Sequence, residues 1–599
     1  MNKSEDNYES LRAVADKTTE KQVVHSEPEK KKRHKEGYTP YDISFPDDCP
    51  IEPVGVYGNT YYFLDNNRHL HAIAGDKINK GTIVPMLGDK QNYKYEQWPR
   101  FKPILKDGEI VGTDCTGWRP EQAADCLIAE ANRRGIWDVR GKLRGPGCWK
   151  DDDGQTLVMH CGDVIYFGNA PMNPGKIGPY VYSSAPSLPH PDLEFDDQRF
   201  GLEVLELLKM WNWVRSELDP ILMLGWIGAA IVGGALNWRP LVWITGDKAT
   251  GKSTLQKFTR GIMGDDAVIA SSDSTAAGIW QRVGHMTLPV ALDEIEASTD
   301  NRKVQGIVNL ARQAGSGDQM LRGGSDHNGA SFTVRNCFMF SSILIPPLLG
   351  QDVSRMAILQ LQELPKDSPS PPLNSDWLSA ASKKIRGRLM AHWDRLDDLI
   401  DLWKERLAEV GHGGRGGDQF GTLLAVAWLL MSDKDPDEEE IARMCVALDK
   451  RSGSDEKSDH ERCVVWLMSS MMDIYRSGER RTVSDWIRQA ADMRDGTEGW
   501  SDIEVKEARR ALENVGLKVS DKLIDGKRVW FLSVANEHQG LTGLFRDAHW
   551  IGQSGADGVW VQALRRVRDA KPDQQRFSGM RLSCTTIPFP SIFGEDADV

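Results

Sequence analysis

Gly246-Asp247-Lys248-Ala249-Thr250-Gly251-Lys252-Ser253 matches the phosphate-loop pattern G-x-x-x-x-G-K-[ST] at every fixed position. The apolar run Leu241-Val242-Trp243-Ile244 precedes it, and a helical pattern from Ser253 through Phe258 follows. That is the strand–loop–helix setting the pattern requires. The glycines let successive backbone N–H groups turn inward around a phosphate, and the helix N-terminus adds the positive end of its dipole. Residues Gly246 to Thr254 are therefore expected to cradle ATP or a similar nucleotide. Lys252 is expected to neutralise the β- and γ-phosphates, and the Ser253 hydroxyl to ligate Mg²⁺.

A phosphate loop alone does not separate kinases, GTPases and motors; the residues downstream do. Leu288-Pro289-Val290-Ala291-Leu292-Asp293-Glu294 reads as a buried strand ending in two adjacent carboxylates. Asp293 suits Mg²⁺ coordination, and Glu294 suits polarising the attacking water. A third apolar strand, Cys337-Phe338-Met339-Phe340, ends in Ser341-Ser342. A hydroxyl there is expected to meet the γ-phosphate or the lytic water; Ser342 is preferred, with Ser341 and a plain strand end as alternatives. Arg355, in Asp352-Val353-Ser354-Arg355-Met356, stands where ring ATPases place a finger that reaches a neighbouring subunit's nucleotide, which implies an oligomer, the alternative being a surface arginine in a salt bridge. Between the second and third strands, residues 319 to 334 carry two short strand patterns about a Gly/Asn/Asp tip, a hairpin signal. Arg322 and His327 on it are candidates for contacting a threaded strand, the alternative being a solvent hairpin.

The order of these elements resembles the AAA+ replicative helicases of phages, prophages and related mobile elements, relatives of superfamily 3 and the minichromosome maintenance helicases. GDKATGKST, LPVALDE, the hairpin, FMFSS and the triplet Ser354-Arg355-Met356 carry the resemblance, over roughly residues 200 to 430. It departs at the strand end, where that family usually has Asn and this chain has Ser. The resemblance implies hexameric rings threading one DNA strand with 3′→5′ movement. It also implies a second sensor arginine in the loop His412 to Gln419, which points to Arg415.

The 599 residues exceed one core, and a formal net charge of −13 opposes non-specific adhesion to nucleic acid, so any such contact rests on local basic patches. Nine scattered cysteines without a C-x-x-C pair argue against a disulfide framework or zinc finger and for a reducing, cytoplasmic setting. Residues 1 to 40 are polar, without a signal-peptide pattern, and read as a disordered charged tail. The basic run Lys30 to Lys35 in it either touches nucleic acid or is merely solvated. Residues 221 to 236 are apolar but short and hold four glycines, so they read as a buried core helix and not a membrane span.

The fold expected is a multidomain α/β chain. A β-rich N-terminal domain of unassigned role covers 41–190, with a hairpin at Tyr61 to Leu70, a helix from Pro120 to Arg134 and a hairpin at Trp149 to Leu157. Asp151-Asp152-Asp153 reads as a solvated turn of that hairpin, not a polymerase metal site, and residues 170 to 192 as a linker. The AAA+ P-loop ATPase core covers 196–365 and a helical lid 366–475. A winged helix is expected at 476–535, with Lys506, Arg509 and Arg510 on its recognition helix and Lys527 and Arg528 on its wing. A second winged-helix-like segment follows at 536–599. Winged helices bind duplex DNA or protein, and both remain open. The expected function is an ATP- and Mg²⁺-dependent, ring-forming DNA helicase. The alternatives are a DNA-binding initiator or remodeller that does not unwind, and a defence or signalling ATPase.

Overall fold

The computed structural model describes residues 43 to 594, apart from 108, 196, 272–273, 296–301, 318, 323–329, 347, 349, 366–370, 372, 449–458, 474–479, 494–499, 525, 547, 549 and 552–557. His327, Asp525 and the tail with its basic run lie outside the described residues. The chain forms two compact units, divided between Asp138 and Val139.

In the first unit, the strands Glu52–Tyr57, Thr60–Leu64 and Leu70–Ala74 form an antiparallel meander. Leu64 pairs with Leu70 across the Asp/Asn turn the sequence signals. The helix Pro120–Arg134 starts on its proline, whose missing N–H costs nothing at a helix's first position. It buries Ala123, Leu127 and Ala131 with Phe63, Trp98 and Trp118. A second hairpin joins Pro99–Lys106 to Glu109–Trp118.

The second unit is built on a five-stranded, all-parallel sheet. Its order across the sheet is Ile269–Ser271, Val290–Leu292, Phe338–Ser342, Leu241–Thr245, Met356–Gln360. The central strands are continuous apolar runs because helices cover both faces. Trp243 stacks on Phe340 at 4.7 Å within this core. The segment from 221 onward is the helix Asp219–Val232, buried at every residue. Its glycines admit close neighbours: a Cβ on Gly225 would stand 2.0 Å from the Leu423 carbonyl of the helix Arg415–Met431. Among the described residues no helix is long and apolar enough to cross a membrane.

Residues 139 to 192 belong to this second unit, so the β-rich region expected over 41–190 is divided, and its last part is not a linker. Ala170–Met172 pairs there with Ile165–Phe167, and Gly175–Ile177 with Tyr180–Tyr182. Cys148, Leu157, Met159 and Cys161 enter the same core as Phe200, Ile227 and Leu389. Proline and glycine in 170 to 192 mark tight turns between very short strands, a pattern easily read as a linker. Asp153 accepts the N–H groups of Gln155 and Thr156 at 2.8 and 3.0 Å, as a turn aspartate does. No cluster of three or more metal-ligating side chains occurs among the described residues.

His160 in this layer is 1% exposed, and its ring is held neutral from both sides. Gly162 donates its N–H to Nδ1 at 3.0 Å, so Nε2 carries the proton and donates to the Ser183 carbonyl at 2.9 Å. Burial lowers its pKa from 6.5 to about 4. Between pH 6.5 and 4 the unfolded chain takes up this proton and the folded chain does not. Folding stability should therefore fall by about 3 kcal/mol across that window and be insensitive to this group above it. Urea unfolding from pH 7.5 to 4, compared with His160→Asn, measures the difference; equal slopes for both chains would refute it.

C-terminal to the core come the helices Ser375–Ala391, Leu396–Glu409, Arg415–Met431 and Glu438–Leu448; the second packs against the third and fourth, and the first against the third. Gln419 ties this layer to the sheet, donating to the Leu241 carbonyl at 2.7 Å and accepting its N–H at 3.2 Å. The helices Val483–Ala490 and Asp502–Asn514 both start on capping boxes, Thr482 with Asp485 and Ser501 with Glu504. The strands Leu517–Ile524 and Lys527–Ala535 follow as a hairpin. Residues 536 to 594 do not make a separate module. Their hairpin, Lys571–Phe577 with Met580–Pro588, joins the first in one four-stranded sheet through pairing of Lys527–Ala535 with Met580–Pro588. One core holds Val483, Leu512, Leu532, Trp560 and Ile587 together.

Candidate functional site

The loop after Leu241–Thr245 bends as its sequence demands. Gly246 has φ +154°, and a Cβ there would lie 2.4 Å from the Leu361 carbonyl; Gly251 has φ +86°. Only glycine meets both demands without strain. Ala249 also takes a positive φ, 66°, an uncommon conformation for a residue with a side chain. The helix Lys252–Met263 then begins, leaving its first N–H groups facing the loop. Trp211 braces the turn by donating its indole N–H to the Gly251 carbonyl at 3.0 Å. Lys252 lies back along the loop, with Nζ donating to the carbonyls of Gly246 and Asp247, the latter at 2.8 Å.

Asp293 and Glu294 follow Val290–Leu292 at the same end of the sheet, because all five strands run parallel. Glu294 has φ 56° and donates its backbone N–H to Asp293 Oδ1 at 2.9 Å. Such a conformation in a non-glycine residue costs about 1–3 kcal/mol and persists only where its surroundings impose it. Part of that constraint is the next residue, since Ile295 donates its N–H to the Ser341 carbonyl at 3.0 Å. The two serines differ. Ser342 Oγ accepts the Trp243 indole N–H at 2.8 Å, whereas Ser341 Oγ is buried without a hydrogen-bond partner.

Lys248 to Thr254, Asp293, Glu294, Ser341 and Ser342 line one cleft of about 740 Å³. The loop, the acidic pair and the strand-end serines, separated by up to 96 positions in the chain, thus converge on one space. Phe338–Ser342 lies between the loop strand and the acidic strand. Two strand spacings, about 10 Å, therefore separate the loop strand from the acidic strand, with the serines in the gap. Such a site can hold a polyphosphate on the loop and a metal ion and a water against the carboxylates.

Other candidate residues stand elsewhere. Arg355 is half-buried and precedes Met356–Gln360 at the opposite end of the sheet from the cleft. Arg415 is exposed at the first turn of Arg415–Met431 and does not line the cleft. Gln319–Arg322 and Ala330–Thr333 pair as the expected hairpin, with Arg322 opposite Ala330 at its last register position. Lys506, Arg509 and Arg510 are exposed on Asp502–Asn514; Arg509 Nε donates to the Ala490 carbonyl at 2.9 Å. Lys527 and Arg528 are exposed on the hairpin, and Arg528 pairs with Asp521 at 2.8 Å. The bracing residues Trp211 and Trp243 escaped sequence reading, since a tryptophan in an apolar run signals core and not a contact to a functional loop.

The second unit is an α/β fold with a parallel central sheet and a cleft at the C-terminal ends of its strands. No family model and no curated protein matches the chain. Among solved structures, it is similar to two apo structures of the NrS-1 C-terminal region, at 10% identity and a TM-score of 0.33. The alignments cover 89% of this chain and 95% and 96% of those chains.

Proposed function

We propose that the chain is an ATP-driven, ring-forming DNA helicase with an AAA+ core. The observation that carries the hydrolytic part is the convergence of the loop, Asp293–Glu294 and the serine pair on one cleft, with a strand interposed. ATP binds by exchanging the bonds of Lys252 to the Gly246 and Asp247 carbonyls for bonds to phosphate oxygens. Ser253 and Asp293 would hold Mg²⁺, which would supply the charge neutralisation phosphoryl transfer needs. Glu294 orients and deprotonates the attacking water as the bond to the γ-phosphorus forms and the β–γ bridging oxygen leaves. Ser341, whose hydroxyl has no competing partner, is better placed than Ser342 to contact that water or the γ-phosphate.

The placement of Arg355 supports a ring. Met356–Gln360 is five residues long, so Arg355 lies about 13 Å or more along the strand direction from its own cleft. A role at the nucleotide requires a second copy of the chain. The hairpin Gln319 to Thr333 and the C-terminal helices with their basic side chains are the proposed DNA contacts, the first for a threaded strand and the second for duplex.

Mg-ATP hydrolysis with and without single-stranded DNA tests the reading. It should be stimulated several-fold by DNA and abolished by Lys252→Ala. Hydrolysis indifferent to any DNA would favour the signalling ATPase instead.

A further inference from the structure

A second cavity, of about 300 Å³, opens in the 139–599 unit away from the nucleotide cleft. Arg140, Arg144, Lys150 and Arg335 line it with Trp149 and Tyr180, and among its described lining residues there is no carboxylate. In a chain of net charge −13 such a lining is not expected from composition. Lys150 is answered from outside by Asp397 at 3.0 Å. The arginines are held differently. Arg144 is 7% exposed, lies 3.3 Å over the centre of the Tyr180 ring and donates to the Tyr182 hydroxyl at 2.7 Å. Arg335 donates to the Gly234 carbonyl at 3.5 Å. Arg335 is an exposed residue, and partial desolvation of its head and the neighbouring Arg144 both disfavour its charge. The buried Arg144 guanidinium beside the exposed one of Arg335 carries a repulsion that an anion between them relieves. The planar fork of arginine suits phosphate best among common anions.

The position narrows the ligand. Thr333, the last residue of the hairpin, lines the cavity, and Arg335 comes two residues later. Gly284 to Met286 also line it, clamped by the Gly145 N–H bond to the His285 carbonyl at 3.0 Å. Both segments feed strands whose far ends carry the acidic pair and the serines, so the cavity sits at the N-terminal edge of the sheet and the cleft at the C-terminal edge. We infer that this arginine-lined cavity binds a phosphate of single-stranded nucleic acid at the foot of the hairpin. Trp149, which also lines it, offers a ring for an unstacked base, Arg144 already covering one face of Tyr180. The choice of a strand rests on the helicase reading; the phosphate site does not. A free nucleoside monophosphate carries the same groups, and the experiment separates these sources.

Binding of fluorescein-labelled dT15 by anisotropy, and of dTMP by calorimetry, is measured on the full chain carrying Lys252→Ala, which disables the phosphate loop. Adding Arg335→Gln should weaken dT15 at least tenfold and reduce the slope of log affinity against log salt by about one. Arg335→Lys should recover part of the loss. The exposed Arg140→Gln should weaken dT15 in the same direction, and it serves if Arg335→Gln lowers the melting temperature. Loss of dTMP binding with Arg335→Gln, in a parent that does not bind dT15, would keep the phosphate site with a free nucleotide as its ligand and defeat the helicase reading. Unchanged dT15 and dTMP binding in both glutamine variants, or a parent that binds neither, would overturn the inference.

Discussion

Glu294→Gln should bind ATP within about threefold of the parent and lose about 10²–10⁴ in the rate of hydrolysis, the range one positioned base supplies. The substitution keeps the volume and the hydrogen-bonding reach of the side chain. It removes only the carboxylate that, in the proposed mechanism, accepts the water's proton. The backbone at this position already sits at φ 56°, with Ile295 fastened to the Ser341 carbonyl, so a glutamine is held in the same place. Titration with a fluorescent ATP analogue and single-turnover hydrolysis separate the two effects. Hydrolysis within threefold of the parent would remove Glu294 from its role. Asp293→Asn should differ by weakening Mg²⁺ binding as well, so that hydrolysis saturates only at higher Mg²⁺.

Arg355→Ala should cost about 10³–10⁵ in turnover while leaving ATP affinity near the parent's, because an arginine finger acts on charge that develops in the transition state. Its position at the far end of Met356–Gln360 makes a sharper expectation. An equimolar mixture of Arg355→Ala and Glu294→Gln chains should regain activity that neither has alone. Some interfaces in a mixed ring join an intact Glu294 from one chain to an intact Arg355 from the next. Steady-state hydrolysis of the mixture checks this; no recovery, with both chains assembling, would place Arg355 outside the site.

The cleft was legible in the sequence because its parts are local. The phosphate loop has fixed spacing, and Leu241–Thr245, Val290–Leu292 and Phe338–Ser342 are short apolar runs ending in polar residues. The helix expected from Pro120 to Arg134 spans those residues, whereas the one read from Ser253 through Phe258 runs on to Met263. What was not legible depends on pairing between distant segments. The order of five parallel strands leaves no mark in any one strand. The boundary at Asp138 was hidden because hairpins on both sides of it look alike, and only the burial of Cys148, Leu157 and Met159 against Phe200 assigns them to the second unit. The C-terminal repeat of helices and hairpin suggested two modules. Residues such as Leu532 and Ile587, opposite one another in adjacent strands, make it one sheet. The arginine cavity gathers positions 140 to 335, each unremarkable in its own stretch.

The most direct measurement is strand displacement on a forked DNA duplex with Mg-ATP, run beside the Lys252→Ala chain. The account predicts that the parent separates the strands and the variant does not. A parent that hydrolyses ATP in a DNA-dependent way but never displaces a strand would contradict the helicase and leave a DNA remodeller in its place.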